Sequence, residues 1–167
     1  MTVGVRAEDH PLTWAVRHIG DWWTLEMLHD AYDGLTHFEE FRDSRQWAPG
    51  VVANRLDTLV RTGLMAHMPS DSEPRHDAYV LTELGRSLRP VLLALAAWAN
   101  GRLPAGRRSV VLVDAATGQE VDPVLVDRAT GRRVDTAAHV FAAGPAASAA
   151  VRARYTTSAP GMNPPPE

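Results

Sequence analysis

The chain has 167 residues, 45% of them hydrophobic, a net charge of −3 and no cysteine. That length holds one domain, or one domain with an appendage, and buries a real core. Without cysteine there are no disulfides, thiolate nucleophiles or thiol-based redox sensors. No apolar run approaches the roughly 20 residues of a membrane helix. The opening MTVGVRAEDH lacks the basic-then-apolar pattern of a signal peptide, so a cytoplasmic location is expected. All 17 basic residues are arginine. The acidic balance argues only weakly against a nucleic-acid partner, because arginines gathered on one face suffice to bind one.

Pro11 to Ile19 reads as a helix, interrupted by Gly20-Asp21, and Trp22 to Tyr32 as a second one closed near Gly34. Thr36 and Glu39 stand at capping-box spacing before Phe38 and Phe41, which predicts a short third helix ending before Trp47. Pro49 opens a fourth, where its missing N–H costs nothing. Val52, Leu56, Leu59 and Val60 give that helix one apolar face, and Gly63 ends it. Leu64 to Met68 and Ala78 to Leu81 are strand-like, on either side of a polar stretch. Helix, turn, helix and hairpin in this order predict a winged helix-turn-helix, mainly α with a small β wing.

Thr82 is an N-cap for a long final helix reaching Asn100. Leu84, Leu88, Val91, Leu95 and Trp98 recur at spacings of four and three, as in a coiled-coil seam. The first and final helices are therefore expected to form a homodimer, completing a winged-helix domain over residues 1–103. Pro90 falls inside the final helix and frees a carbonyl one turn earlier, at a cost of up to ~3 kcal/mol. Beyond it, VLVDAATGQEV (111–121) returns as VLVDRATGRRV (124–134), which predicts two small hairpins in a β appendage over 104–135. Residues 136–167, rich in Ala, Pro, Ser and Gly, are expected to be disordered.

The segments HIGDWWTLEML (18–28), HFEEF (37–41), ANRLDTLVRTGLM (53–65) and AYVLTELGRSLRPVLLALAAW (78–98) resemble the HxlR-type winged helix-turn-helix regulators of the MarR-like group, in order and in spacing. The resemblance runs from His10 to Trp98. It implies a dimer that binds DNA through its fourth helix and wing and controls nearby genes. Three departures stand out. His10 occupies the place where the family often has a cysteine. Arg45-Gln46-Trp47 replaces a turn that usually holds an apolar residue, Gly and Ile. Gly50 follows the helix-opening proline where a polar or basic residue is common. The first makes the thiol chemistry of oxidant-sensing members unavailable; the other two touch base reading rather than the fold.

With Val52, Leu56 and Leu59 inward, Gly50, Asn54, Asp57 and Arg61 face outward. Asn54 is the expected base reader, since its amide pairs bidentately with adenine. Gly50 permits close backbone approach, and Pro49 and Ala53 complete the expected DNA-facing set. Asp57 repels phosphate unless it is paired, with Arg61 one turn on as the candidate. Arg55 either reaches phosphate or pairs with Glu40 and braces the motif. Arg45 at the turn and Arg75 at the wing are the expected phosphate or minor-groove contacts. For any one of these arginines, a solvated surface charge is the plainer alternative. Carboxylates outnumber arginines between Gly34 and Leu81, so affinity should need both half-sites of a dimer.

Other constellations are thinner. His29 and Asp33 lie one helical turn apart without a third ligand, and His67 and His76 flank the wing, so no metal is expected. The two hairpins carry no Cys or His at their turns and cannot hold zinc. Trp14, Trp22, Trp23 and Trp98 read as core or interface filler, and the family resemblance implies a tryptophan at the Trp23 position for that reason. Alternatively, Trp14 and Trp98 join His10 and His18 around a pocket for a small-molecule effector. No P-loop, G-x-S-x-G or dinucleotide fingerprint is present, and neither an enzyme nor a cofactor is expected. The sequence thus points to a DNA-binding repressor or activator. The alternative, motivated by Gly50 and the acidic balance, is a winged-helix interaction or ligand-binding module that has lost DNA binding.

Overall fold

Four helices and a hairpin form in the expected order in the computed structural model, which describes residues 10–70 and 76–156. They are α1 (Pro11–Ile19), α2 (Trp22–Tyr32), α3 (Phe38–Arg45) and α4 (Pro49–Arg61), then β1 (Met65–Met68) and β2 (Ala78–Leu81). After these come α5 (Glu83–Ser87), α6 (Arg89–Asn100), a 3-10 turn at Ala105–Arg107 and α7 (Ala149–Thr156). The chain divides into two units, Ile19–Pro123 and the pair of segments ending at His18 and beginning at Val124. Among the described residues no helix is long and apolar enough to cross a membrane.

The core lies in the first of these units. Met27 and Leu28 from α2, Phe41 from α3, and Val52, Leu56 and Leu59 from α4 are buried together with Leu64, Met65 and Leu92. Each such side chain contributes about 1.5–3 kcal/mol by leaving water. The apolar face read for α4 is the face that packs. Gly63, at φ 75°, turns the chain out of α4. Its N–H donates to the Val60 carbonyl, and the Leu64 N–H donates to the Leu59 carbonyl at 2.9 Å, closing the helix end.

Gly20-Asp21 is more than an interruption. Asp21 caps α2, one carboxylate oxygen accepting from the Trp23 N–H at 3.1 Å and the Thr24 N–H at 3.4 Å. The start of α3 departs by one residue from the expected Thr36/Glu39 box. Its cap is His37, and the Glu40 carboxylate accepts from the Thr36 N–H at 2.7 Å and the His37 N–H at 2.9 Å. These two donors hold the Glu40 carboxyl below its ordinary range. The one-residue displacement of the cap has a tertiary setting. The Thr36 carbonyl accepts from the Tyr79 N–H at 2.7 Å, and His37 bridges to Ala78, so residues 36–37 form a short third rung beside the wing.

The wing pairs β1 and β2 antiparallel, with Met65 opposite Leu81 and Met68 opposite Ala78. At its outer corner, Asp77 accepts from the Ser70 N–H at 2.8 Å and meets His67 Nε2 at 2.8 Å. The Ser70 N–H first, and His67 second, keep the Asp77 carboxyl below the ordinary carboxylate range.

The long final helix expected from Thr82 is broken. Leu88 ends α5 and begins α6, and Pro90 then sits in the first turn of α6. The break puts the proline in a first helical turn, where its missing donor is harmless. Thr82 does cap α5, as expected, accepting from the Gly85 N–H at 3.0 Å. Its hydroxyl also donates to the Gly63 carbonyl at 2.6 Å, pulling α5 onto the corner between α4 and β1. Gly85 is there because nothing larger fits. A Cβ at this position would lie 2.1 Å from the Leu64 carbonyl oxygen. The Tyr32 hydroxyl donates to the Gly85 carbonyl at 2.5 Å, and burial pushes that hydroxyl's pKa up.

The two copies of the repeat adopt the same local geometry. Asp114 and Asp127 each accept from N–H groups of the following turn, and single bridges join Val113 to Glu120 and Val126 to Arg133. The first copy is fastened to the end of α6, where Asn100 Nδ2 donates to the Val110 carbonyl at 2.9 Å. Arg108 meets Glu120 at 3.1 Å in the same region. Within the segment expected to be disordered, Ala149–Thr156 is helical. The run AAVRARYT has three of the best helix formers and no internal Gly or Pro, which the overall composition of the tail obscures.

Gly85→Ala is expected to destabilise the protein by about 1–3 kcal/mol, because α5 must back away from Leu64. Urea unfolding followed by circular dichroism measures this, and an unchanged midpoint would show the contact to be soft.

Candidate nucleic-acid interface

The outward face of α4 is free of the core. Pro49, Gly50, Ala53, Asn54, Asp57 and Arg61 are all exposed, on the side opposite Val52, Leu56 and Leu59. The Asn54 side chain makes no hydrogen bond among the described residues, while the Asn54 backbone carbonyl accepts from the Thr58 hydroxyl at 2.9 Å. Arg61 pairs with Asp57 at 3.4 Å, the pairing the sequence suggested.

The other arginines behave differently from the expectation. Arg55 does not reach Glu40, whose carboxylate is occupied by the cap of α3. It pairs instead with Asp21, using the oxygen not committed to capping. Arg45 turns inward toward α2. Its Nε and one terminal nitrogen lie 3.2 and 3.0 Å from the two oxygens of Asp30, and its other terminal nitrogen meets Glu26. Asp30 is only 7% exposed, and the Ser44 hydroxyl donates to it at 2.9 Å. Asp30 first, then Glu26, raises the Arg45 guanidinium above its ordinary range. Arg42 meets Asp43 at 2.7 Å. Among the described residues, each arginine between Gly34 and Leu81 therefore sits against a carboxylate. Arg75 lies outside the described residues.

Aromatic rings fill the turn between α3 and α4. Trp47 meets Trp23 edge to face at 4.7 Å, with Arg45 5.8 Å from the Trp47 ring and Arg55 5.9 Å from the Trp23 ring. Trp22 tilts against Trp23 at 4.1 Å. Trp23, expected as core filler, is thus half-buried between rings and a guanidinium. Gln46 at the centre of the turn has φ 55°, in the left-handed region that favours glycine. Asp21, Glu26 and Asp30 were not singled out from the sequence as anchors. Glu26 and Asp30 lie one turn apart on α2 and Asp21 caps it, but only packing shows what they face.

Comparison with known proteins places this arrangement. Residues 18–106, more than half of the chain, match the HxlR-like helix-turn-helix family. This chain belongs to that family. It is a transcription regulator with a helix-turn-helix domain, and its fold is the winged form of that motif. An HTH-type transcriptional regulator of Mycobacterium tuberculosis is 29% identical over 119 residues, spanning 71% of this chain and 75% of that one. The crystal structure of PA1607, a candidate transcription factor, is 33% identical with a TM-score of 0.70, covering 80% of this chain and 94% of that one. A second candidate transcription factor, from Pseudomonas aeruginosa, is 35% identical with a TM-score of 0.67 and covers 87% of this chain and 99% of that one. The redox regulator HypR in its reduced form is 26% identical with a TM-score of 0.52, over 56% of this chain and 93% of its own. This HxlR-like chain has no cysteine with which to run a thiol switch.

Of the residues expected around an effector pocket, His10, Trp14 and His18 lie in one unit and Trp98 in the other. Trp14 and His18 stack at 3.7 Å on α1. His10 lies beside a groove of about 380 Å³ lined by Phe141, Val151 and Tyr155, with its Nε2 3.5 Å from the Tyr155 hydroxyl. Trp98 belongs to the other unit, where it is 65% exposed and lies 5.8 Å from Arg102. His29 meets Asp33 at 3.3 Å, and His67 packs against Tyr79 at 5.0 Å. Among the described residues no group of three or more ligating side chains converges as a metal site would.

Gln46→Gly is expected to stabilise the protein by about 0.5–1 kcal/mol, since glycine takes left-handed backbone without a Cβ clash. A higher melting temperature in differential scanning calorimetry is the expected result. A lower one would mean that the Gln46 side chain contributes more than its backbone costs.

Proposed function

We propose that this HxlR-like chain is a homodimeric regulator that reads double-stranded DNA with the exposed face of α4, flanked by the wing. The observation that carries the reading is the outward set Gly50, Ala53 and Asn54 at the start of α4. It stands clear of the core beside a close-approach glycine, which is where a recognition helix meets base edges. Asn54 supplies the adenine-type donor and acceptor pair. A dimer presents two such helices to the two halves of an operator. The partner surface is the exposed apolar face of α5 and α6, with Leu84, Val91, Leu95 and Trp98 all left in solvent by the single chain. In the second unit, Leu12, Trp14 and Val16 of α1 are likewise exposed, and we assign them to the same dimer. A small-molecule effector at the His10 groove would give the regulator its input.

A second reading is favoured by one observation. With the described arginines of the motif paired to carboxylates, the surface offers phosphate little uncompensated charge, as expected of a winged-helix module that binds a protein or ligand instead. Titration by fluorescence anisotropy against the DNA upstream of its own gene separates the two. Binding that weakens with salt supports the regulator, and no binding to any duplex supports the module.

Asn54→Ala is expected to cost about 1–3 kcal/mol per half-site at the cognate operator while sparing nonspecific DNA. Equal affinity of variant and parent would show that another face reads the bases. Leu95→Asp is expected to yield a folded monomer in multi-angle light scattering, because the position is already exposed in the single chain and the charge cannot enter an apolar seam. A dimer that survives it would exclude this helix as the interface.

A further inference from the structure

Arg45 and Arg55 flank the turn of the motif; from sequence, Arg45 is expected at DNA phosphate, and Arg55 either there or as a brace within the motif. Their surroundings are those of a clasp. Arg45 is gripped side-on by both oxygens of Asp30 and also by Glu26, so two carboxylates face one guanidinium. Arg55 is held by Asp21, whose other oxygen caps α2. Between the two arginines run Trp47 and Trp23 in edge-to-face contact, each beside one guanidinium. The chain of contacts begins on α2, crosses the end of α3, the turn and α4, and returns to α2.

We propose that Arg45 and Arg55 are positioning residues that set the pitch of α4 against α2, and that neither neutralises phosphate; this rests on the DNA-binding reading above. Charge decides the first part. Arg45 with Glu26 and Asp30 sums to a net negative site, and Arg55 with Asp21 sums to zero, so neither releases counterions from DNA. Burial decides the second. Moving Arg45 to a phosphate would strand the Asp30 carboxylate, 7% exposed, without its partner. The planar fork of arginine matches the two oxygens of Asp30, and the point charge of lysine does not.

The two assignments predict opposite signs for the same variants. The test is anisotropy titration of the full chain on the DNA upstream of its gene and on an unrelated duplex, at several salt concentrations. As clasp residues, Asp30→Asn and Asp21→Asn should weaken operator binding by about tenfold, the scale of one charge-assisted bond. As phosphate contacts, the freed arginines would instead tighten binding. Arg45→Lys and Arg45→Ala should both weaken operator binding and leave the log-log salt slope unchanged. A phosphate contact in each of two subunits would flatten that slope in Arg45→Ala by about 2, at about 0.9 per contact, and Arg45→Lys would retain it. Affinity for the unrelated duplex should stay constant in all variants, because a mis-set helix loses base contacts first. A mere loss of folded protein would lower both affinities together. If the buried Asp30 variant does not fold, Glu26→Gln at a half-exposed position serves in its place, with weakening of about two- to fivefold expected for a single lost ion pair. Tighter binding by any carboxylate variant, or a flattened slope in Arg45→Ala, overturns the assignment. A parent chain that binds no duplex ends the DNA-binding reading itself, and the clasp falls with its premise.

Discussion

A carboxylate as buried as Asp30 must be paired, and that requirement organises the motif around it. Asp30 takes the Arg45 guanidinium and the Ser44 hydroxyl, both from the last turn of α3. Holding that turn against α2 forces the chain to leave α3 sharply, through Gln46 at positive φ. Trp47 then falls against Trp23, and α4 begins at Pro49 with its apolar face over Met27 and Leu28. One end of α4 is thus placed by a polar contact on α2, and the remainder by burial.

The same helix serves the other half of the unit. Tyr32, near the end of α2, donates to the Gly85 carbonyl, so the start of α5 is registered against α2 as well as against Leu64. The wing hangs between these fixed points, joined to residues 36–37 on one side and to Thr82 on the other. Beyond Leu88 the chain is freer. α6 buries Leu92 and leaves Leu95 and Trp98 exposed.

Likeness to two of the solved structures extends beyond the helix-turn-helix match at 18–106. The two solved structures at 33% and 35% identity are matched over 80% and 87% of this chain, whereas the match to HypR covers 56%. The longer relatives therefore share more than the winged-helix part. In this chain Asn100 at the end of α6 donates to Val110 just before the first repeat, and Arg108 ahead of the repeat pairs with Glu120 within it.

Local chemistry was legible in the sequence. The apolar period of α4, Pro49 at its start, Gly63 at its end and Thr82 before α5 each act within a few residues, and each performed as read. The repeat was visible for the same reason, since a tight turn is specified by its own residues. The pairing of Asp57 with Arg61 followed from helical spacing alone. What the sequence could not supply were partners distant in the chain. The carboxylate opposite Arg55 is Asp21 rather than Glu40, because Glu40 is already committed to two N–H donors that the wing's docking on Thr36 and His37 brings together. Arg45 faces inward because a buried Asp30 awaits it, and the burial of Asp30 exists only once α2, α3 and α4 have packed. Periodicity fixes which face of a helix is apolar, because dewatering acts on each residue separately. Which charge meets which is decided by the three-dimensional arrangement, because a carboxylate and a guanidinium attract whatever opposite charge the packed helices place within reach.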